Sequence, residues 1–101
     1  MGNASSEPVE VSTLFSGSVQ GVGFRWQTMR VIEGLEQGGF RLDGFVRNLP
    51  DGRVELRLQG RADQVSAAIR EVQRVMEDCI RSTESSRQDP GPPLGAFRIR
   101  H

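Results

Sequence analysis

Nine residues near the start of the chain, Gly17-Ser18-Val19-Gln20-Gly21-Val22-Gly23-Phe24-Arg25, place three glycines within seven positions and end on an arginine. Glycine lets a backbone bend sharply and approach a ligand with no Cβ in the way. An apolar alternation leads into this stretch and a helical spacing leads out, so it reads as a strand-to-helix turn. The first N–H groups of such a helix have no partner within it and point back into the loop. Loop and helix start then outline an anion site, with the guanidinium donors of Arg25 placed to close over a phosphate. The pattern is neither the dinucleotide fingerprint nor a Walker loop, because the glycine spacing differs and no Gly-Lys-Ser/Thr follows. Spacing alone leaves a second reading open: a tight turn whose glycines serve only geometry, with Arg25 a solvated charge.

The same nine residues resemble the first signature of the acylphosphatase family. A second stretch, Gly44-Phe45-Val46-Arg47-Asn48-Leu49-Pro50-Asp51-Gly52-Arg53-Val54-Glu55, resembles the second signature. The two stand in the family's order, and a looser similarity runs from about Val11 to the closing Phe97-Arg98-Ile99-Arg100-His101. The resemblance implies a metal-independent hydrolase that splits small acyl phosphates into a carboxylate and phosphate, with no cofactor. It assigns phosphate binding to Arg25 and the loop Gln20, Gly21, Val22, Gly23 and Phe24, and water positioning to Asn48. The substrate's own phosphate would accept the water's proton.

That assignment suits the chemistry of a carboxyl-phosphate anhydride. A carboxylate leaves readily without a strong acid, so the remaining tasks are to hold the phosphoryl dianion, spread its moving charge and place a water in line. Arg25 and the loop N–H groups from about Gly21 onward suit the first two. An uncharged carboxamide suits the third, and Asn48 supplies one. Taken without the resemblance, Asn48 before a Pro-Asp-Gly turn reads as a cap on the corner. Gln20 is expected to make hydrogen bonds within the loop. Arg47 should point to the opposite face from Asn48, and Glu55 reads as a solvated sheet residue.

Two departures from the family pattern stand out. Arg25 and Asn48 are 23 positions apart, several more than is usual, with the excess around Glu36 to Leu42. Those residues either leave the site untouched or cover its mouth. The usual tryptophan of the second signature is Phe45 here, read as a packing substitution.

The elements that must position these residues follow from periodicity. Residues 1–8 read as a flexible leader and 9–101 as one domain, large enough for a single core. Val11 to Val19 is a strand, with Val11, Thr13 and Phe15 on one face and Leu14 on the other. A helix starts at Phe24, carries Thr28, Val31, Ile32 and Leu35 at helical intervals and stops at Gly38-Gly39. Trp26 reads as an anchor packing the loop down. Asp43 to Asn48 and the alternating Val54, Leu56 and Leu58 make a hairpin around Leu49-Pro50-Asp51-Gly52, ended by Gly60. Val65, Ala68, Ile69, Val72, Met76, Cys79 and Ile80 form the apolar stripe of a second helix. Arg81 to Ser86 reads as a short extra edge strand, the Pro-rich stretch Asp89 to Pro93 as a loop, and Ala96 to His101 as the closing strand. This order gives an α+β ferredoxin-like sandwich, βαββαβ, with two helices on one face of a mainly antiparallel sheet.

Composition narrows the partners. Thirteen basic and thirteen acidic residues cancel, so no global field draws the chain to nucleic acid or a membrane. The sheet plan is shared by RNA-recognition domains, but the chain has no tyrosine to stack bases. A lone cysteine gives no disulfide and one histidine no zinc site, so a cytoplasmic monomer is expected, with acyl phosphate as substrate and inorganic phosphate as product. The alternative is a noncatalytic module that binds phosphate or an acyl phosphate.

Overall fold

The computed structural model describes residues 6–101. Strand β1, Pro8–Gly17, buries Val9, Val11, Thr13 and Phe15 on one side and leaves Ser12 and Leu14 half-buried on the other. It begins three residues before Val11, so Pro8 belongs to the sheet rather than to a leader. Just before it, the Glu7 carbonyl accepts from the Ala62 N–H at 2.9 Å. The rest of the expected leader, residues 1–5, lies outside the described residues.

Helix α1, Val22–Gln37, ends at Gly38 as the Gly38-Gly39 pair requires. It buries Phe24, Thr28 and Ile32, with Val31 and Leu35 half-buried beside them. Strands β2, Asp43–Asn48, and β3, Val54–Arg61, form the expected hairpin, and β3 runs one residue past Gly60. Its corner is closed by the Gly52 N–H on the Leu49 carbonyl and the Leu49 N–H on the Arg53 carbonyl. Helix α2, Ala62–Val75, places Val65, Ala68, Ile69 and Val72 against the sheet. The expected stripe overruns this helix: Met76 and Cys79 lie in the turn that follows, and Ile80 opens β4, Ile80–Gln88. A final pair, Arg98–Ile99, is β5.

The sheet order is β4-β1-β3-β2-β5, antiparallel throughout except for β2 with β5. Two strands therefore exchange the weights expected of them. β4 is a full nine-residue edge strand and the closing strand has two residues. The reason is visible in Ile-Arg-Ser-Thr-Glu-Ser-Ser-Arg-Gln: with polar residues on both faces, no alternation marks its length. Its length comes instead from its ladder with β1, where the Thr13 and Ser85 hydroxyls meet at 2.8 Å.

Both helices cover the face formed by Val11, Phe15, Val46, Val54, Leu56 and Leu58, which is the core. The opposite face is polar, yet not bare. After β4 the chain crosses it as a strap, donating Gly91 N–H to Glu10 and Leu94 N–H to Gln59 before reaching the Gly44 N–H with the Gly95 carbonyl. Under and beside this strap run Glu10, Arg57, Glu55 and Arg47, joined in a chain of ion pairs. Glu55 is thus a correction: it does face away from Val54, but it is 4% exposed rather than solvated. The Ser12 hydroxyl donates to it at 2.7 Å and Arg47 Nε at 2.8 Å. Among the described residues no helix is long and apolar enough to cross a membrane.

Candidate active site

The turn between β1 and α1 is held from both sides. Val19 is fully buried, and the Ser18 N–H donates to the Cys79 carbonyl at 2.9 Å. The three glycines have different tasks. At Gly17 a Cβ would stand 2.4 Å from the Cys79 carbonyl oxygen, so that position closes the loop onto the turn before β4. Gly21 caps α1 with φ 128°, a conformation that side chains disfavour. A Cβ on Gly23 would meet nothing within 4 Å, so the helix start there faces open space.

Helix α1 therefore begins with no side-chain cap and no acidic residue in its first turn. Its leading N–H groups and the positive end of its dipole remain uncompensated by protein. Phe24 contributes backbone only, since its ring is buried 5.6 Å from the ring of Phe15. Trp26 departs from the expectation of a packed anchor: it is 56% exposed. Gln20 reaches out of the loop altogether. Its side-chain amide donates to the carbonyls of Leu49 at 3.3 Å and Arg53 at 3.2 Å, tying the loop to the hairpin corner.

Asn48 ends β2 one residue before that corner, paired in register with the core residue Val54. Arg47, one position earlier, is tied to Glu55 on the opposite face, as expected. The Asn48 side chain does not cap the corner through its oxygen, because Oδ1 is buried and has no hydrogen-bond partner among the described residues. Arg25 Nε is the other such atom among the described residues. Leaving a buried donor or acceptor unpaired costs about 1–3 kcal/mol each. These two fall at the positions singled out for phosphate and water.

A residue not singled out from the sequence joins them. Arg25 Nη1 lies 3.3 Å from His101 Nδ1. The parallel pairing of β5 with β2 sets Phe45 beside Arg98 and Val46 beside Ile99, and the Arg100 N–H continues it by donating to the Val46 carbonyl. Carrying that register one residue further brings His101 level with Asn48. Arg25, 23 positions before Asn48, thus contacts a residue that the strand register carries level with Asn48. The alternation of Phe97 and Ile99 toward the core foreshadowed the face His101 takes; its position at the end of a two-residue strand hid it.

Phe45 packs where a larger ring was expected. It is buried on the polar face, with the guanidinium of Arg100 at 4.9 Å and that of Arg47 at 5.4 Å from its centroid. The extra residues of the α1–β2 connection lie elsewhere. Glu36, Phe40, Arg41 and Leu42 border a cleft of about 520 Å³ with Asp43, Gln59 and Gly60. Asp43 opens β2 and Asn48 closes it, so the length of the strand, about 17 Å, separates cleft from candidate site. The insertion leaves the mouth uncovered.

Comparison with known proteins bears on the family and the fold. The profile described as Acylphosphatase matches residues 11–99. The acylphosphatase of Methanospirillum hungatei is 40% identical over 70 residues, 69% of this chain and 71% of that one. That of Anaeromyxobacter dehalogenans is 38% identical over 96 residues, 94% of this chain and 98% of that one. In fold, the crystal structure of acylphosphatase from Bacillus subtilis superposes with a TM-score of 0.75 at 21% identity, over 92% of this chain and 99% of that one. On the strength of the matched profile and of relatives similar along nearly their whole length, the chain belongs to the acylphosphatase family.

Proposed function

We propose that the chain hydrolyses small acyl phosphates to a carboxylate and inorganic phosphate, with Arg25 and the α1 start as the phosphate cradle and Asn48 as the residue that places the water. One observation carries the assignment of roles: among the described residues the buried, unpartnered side-chain atoms are Arg25 Nε and Asn48 Oδ1. The first is a donor and the second an acceptor, which is what an oxyanion and a water respectively lack.

In this reading the phosphoryl oxygens accept from Arg25 Nε and from the leading N–H groups of α1, where no carboxylate competes. A water donates one hydrogen to Asn48 Oδ1, which leaves a lone pair free to face phosphorus from the side opposite the carboxylate. The P–O bond to the acyl group breaks as the water's oxygen adds, the carboxylate departs as its own stable anion, and the proton the water sheds passes to a phosphoryl oxygen. Cradle and water site need a fixed separation, and the Gln20 bonds to Leu49 and Arg53 supply it. We take residues 8–101 to be one domain and the protein to act as a cytoplasmic monomer. The test is hydrolysis of benzoyl phosphate by purified protein. Turnover well above spontaneous decay is expected, and decay at the spontaneous rate would end the proposal.

A further inference from the structure

We propose that Trp26 determines which acyl group the site accepts: the substrate's acyl group lies against its indole, which selects flat apolar groups, aromatic ones above all, over acetyl. The inference rests on the reading of Arg25 and the α1 start as the phosphate cradle. Trp26 directly follows Arg25 near the start of α1, and with Val75 it is one of the exposed large apolar side chains among the described residues. No hydrogen bond, ring pair or cation contact among those residues engages the indole. Side chains on a helix lean toward its N-terminus, so a ring at position 26 stands over the turn that carries Gly23, three residues back. A Cβ at Gly21 or at Gly23 would meet nothing within 4 Å. The indole thus walls one side of a shelf of bare backbone at the mouth of the cradle.

The direction in which the acyl group leaves points the same way. Asn48 pairs in register with Val54 and stands two positions from Val46, so it shares the face of the sheet that the helices cover. A water held by Asn48 Oδ1 sits on the sheet side of the site, and the leaving oxygen lies across phosphorus from it. That line runs out of the sheet, past the start of α1, to the exposed Gly23 and Trp26. A packed aromatic side chain buries about 150–250 Å², and an aromatic acyl group stacked on the indole recovers part of that area together with a favourable ring pair. Acetyl is too small to cover the ring. The contact is the same before and during P–O cleavage, so it lowers KM and leaves kcat alone.

The chain has one tryptophan and no tyrosine, so its intrinsic emission reports Trp26 alone. The experiment titrates the protein with phenacylphosphonate and acetonylphosphonate, stable counterparts of benzoyl and acetyl phosphate with a methylene in place of the bridging oxygen. Emission and inhibition of benzoyl phosphate hydrolysis are followed together. Phenacylphosphonate is expected to change Trp26 emission and to inhibit about tenfold more tightly than acetonylphosphonate. In Trp26→Ala the KM for benzoyl phosphate should rise, and the kcat/KM ratio of benzoyl to acetyl phosphate should fall about tenfold, with Trp26→Phe keeping most of it. If both phosphonates inhibit equally without moving the emission, and Trp26→Ala keeps the wild-type ratio within about twofold, the inference is overturned and the cradle stands. If neither phosphonate nor inorganic phosphate binds, the cradle reading fails and the inference falls with it.

Discussion

The side-chain amide of Gln20 lies 3.3 Å from the carbonyl of Leu49, one residue beyond Asn48, and its second bond runs to Arg53. One glutamine thereby fixes the distance between the loop that would hold phosphate and the strand end that would hold water. Gln20→Ala is expected to lower kcat of benzoyl phosphate hydrolysis several-fold while the fold's melting temperature changes little, because the bonds are exposed. Gln20→Glu, whose carboxylate faces two carbonyls, should be worse than alanine. Equal kcat in wild type and both variants would show that the tie does not position the site.

Asn48 and Arg25 should separate kinetically. Arg25→Ala removes a charged donor, so inorganic phosphate should cease to inhibit and kcat/KM should fall by about 10²–10³ or more. Arg25→Lys should recover little, since a point charge cannot reproduce the fork proposed to hold the phosphoryl oxygens. A lysine variant near wild-type rate would count against the geometry described.

Acid stability should follow the polar face of the sheet. Burial by itself pushes the Glu10 carboxyl up, but the Gly91 N–H, the Gln59 amide and Arg57 together hold it below its ordinary value of 4.5. Glu55 behaves alike: burial raises it, and Ser12, Arg47 and Arg57 bring it below 4.5. Both folded values are depressed, so the unfolded chain takes up these protons first as pH falls. Their stabilisation is complete above the unfolded value and is lost as pH drops through the folded ones. The urea midpoint should therefore fall between about pH 6 and pH 3.5, and fall less in Glu55→Gln. Identical slopes would contradict the role given to this pair network.

The core makes a simpler demand. Leu56 is fully buried at the centre of β3, and Leu56→Ala should cost about 2–5 kcal/mol in urea unfolding. A loss below 1 kcal/mol, on the same scale, would mean that the helix face of the sheet is not packed as described.

What could be read from residues alone divides along physical lines. The β2–β3 hairpin was legible to within a residue because a Pro-Asp-Gly corner and the alternation of Val54, Leu56 and Leu58 agree. α1 was legible because Phe24, Thr28, Ile32 and Leu35 share a face and two glycines stop it. β4 was legible as a short edge strand but not in its full length, since Thr83, Ser85 and Ser86 carry no apolar contrast and its length comes from its partner β1. Glu55 was misjudged because burial on the polar face depends on Arg47, Arg57 and Ser12 arriving from other segments. Trp26 was misjudged in the other direction, a large ring left outside. His101 was missed because it lies beyond the two-residue β5 and only the packing of α1 brings Arg25 to it.

The central claim is that Arg25 and Asn48 divide one task, holding phosphate and placing water. It is tested most directly by Asn48→Ala, with kcat for benzoyl phosphate and inhibition by inorganic phosphate measured on the same preparation. The account predicts that kcat falls by about 10²-fold or more while phosphate inhibits within about twofold of wild type. Wild-type kcat, or loss of phosphate binding in step with turnover, would contradict it.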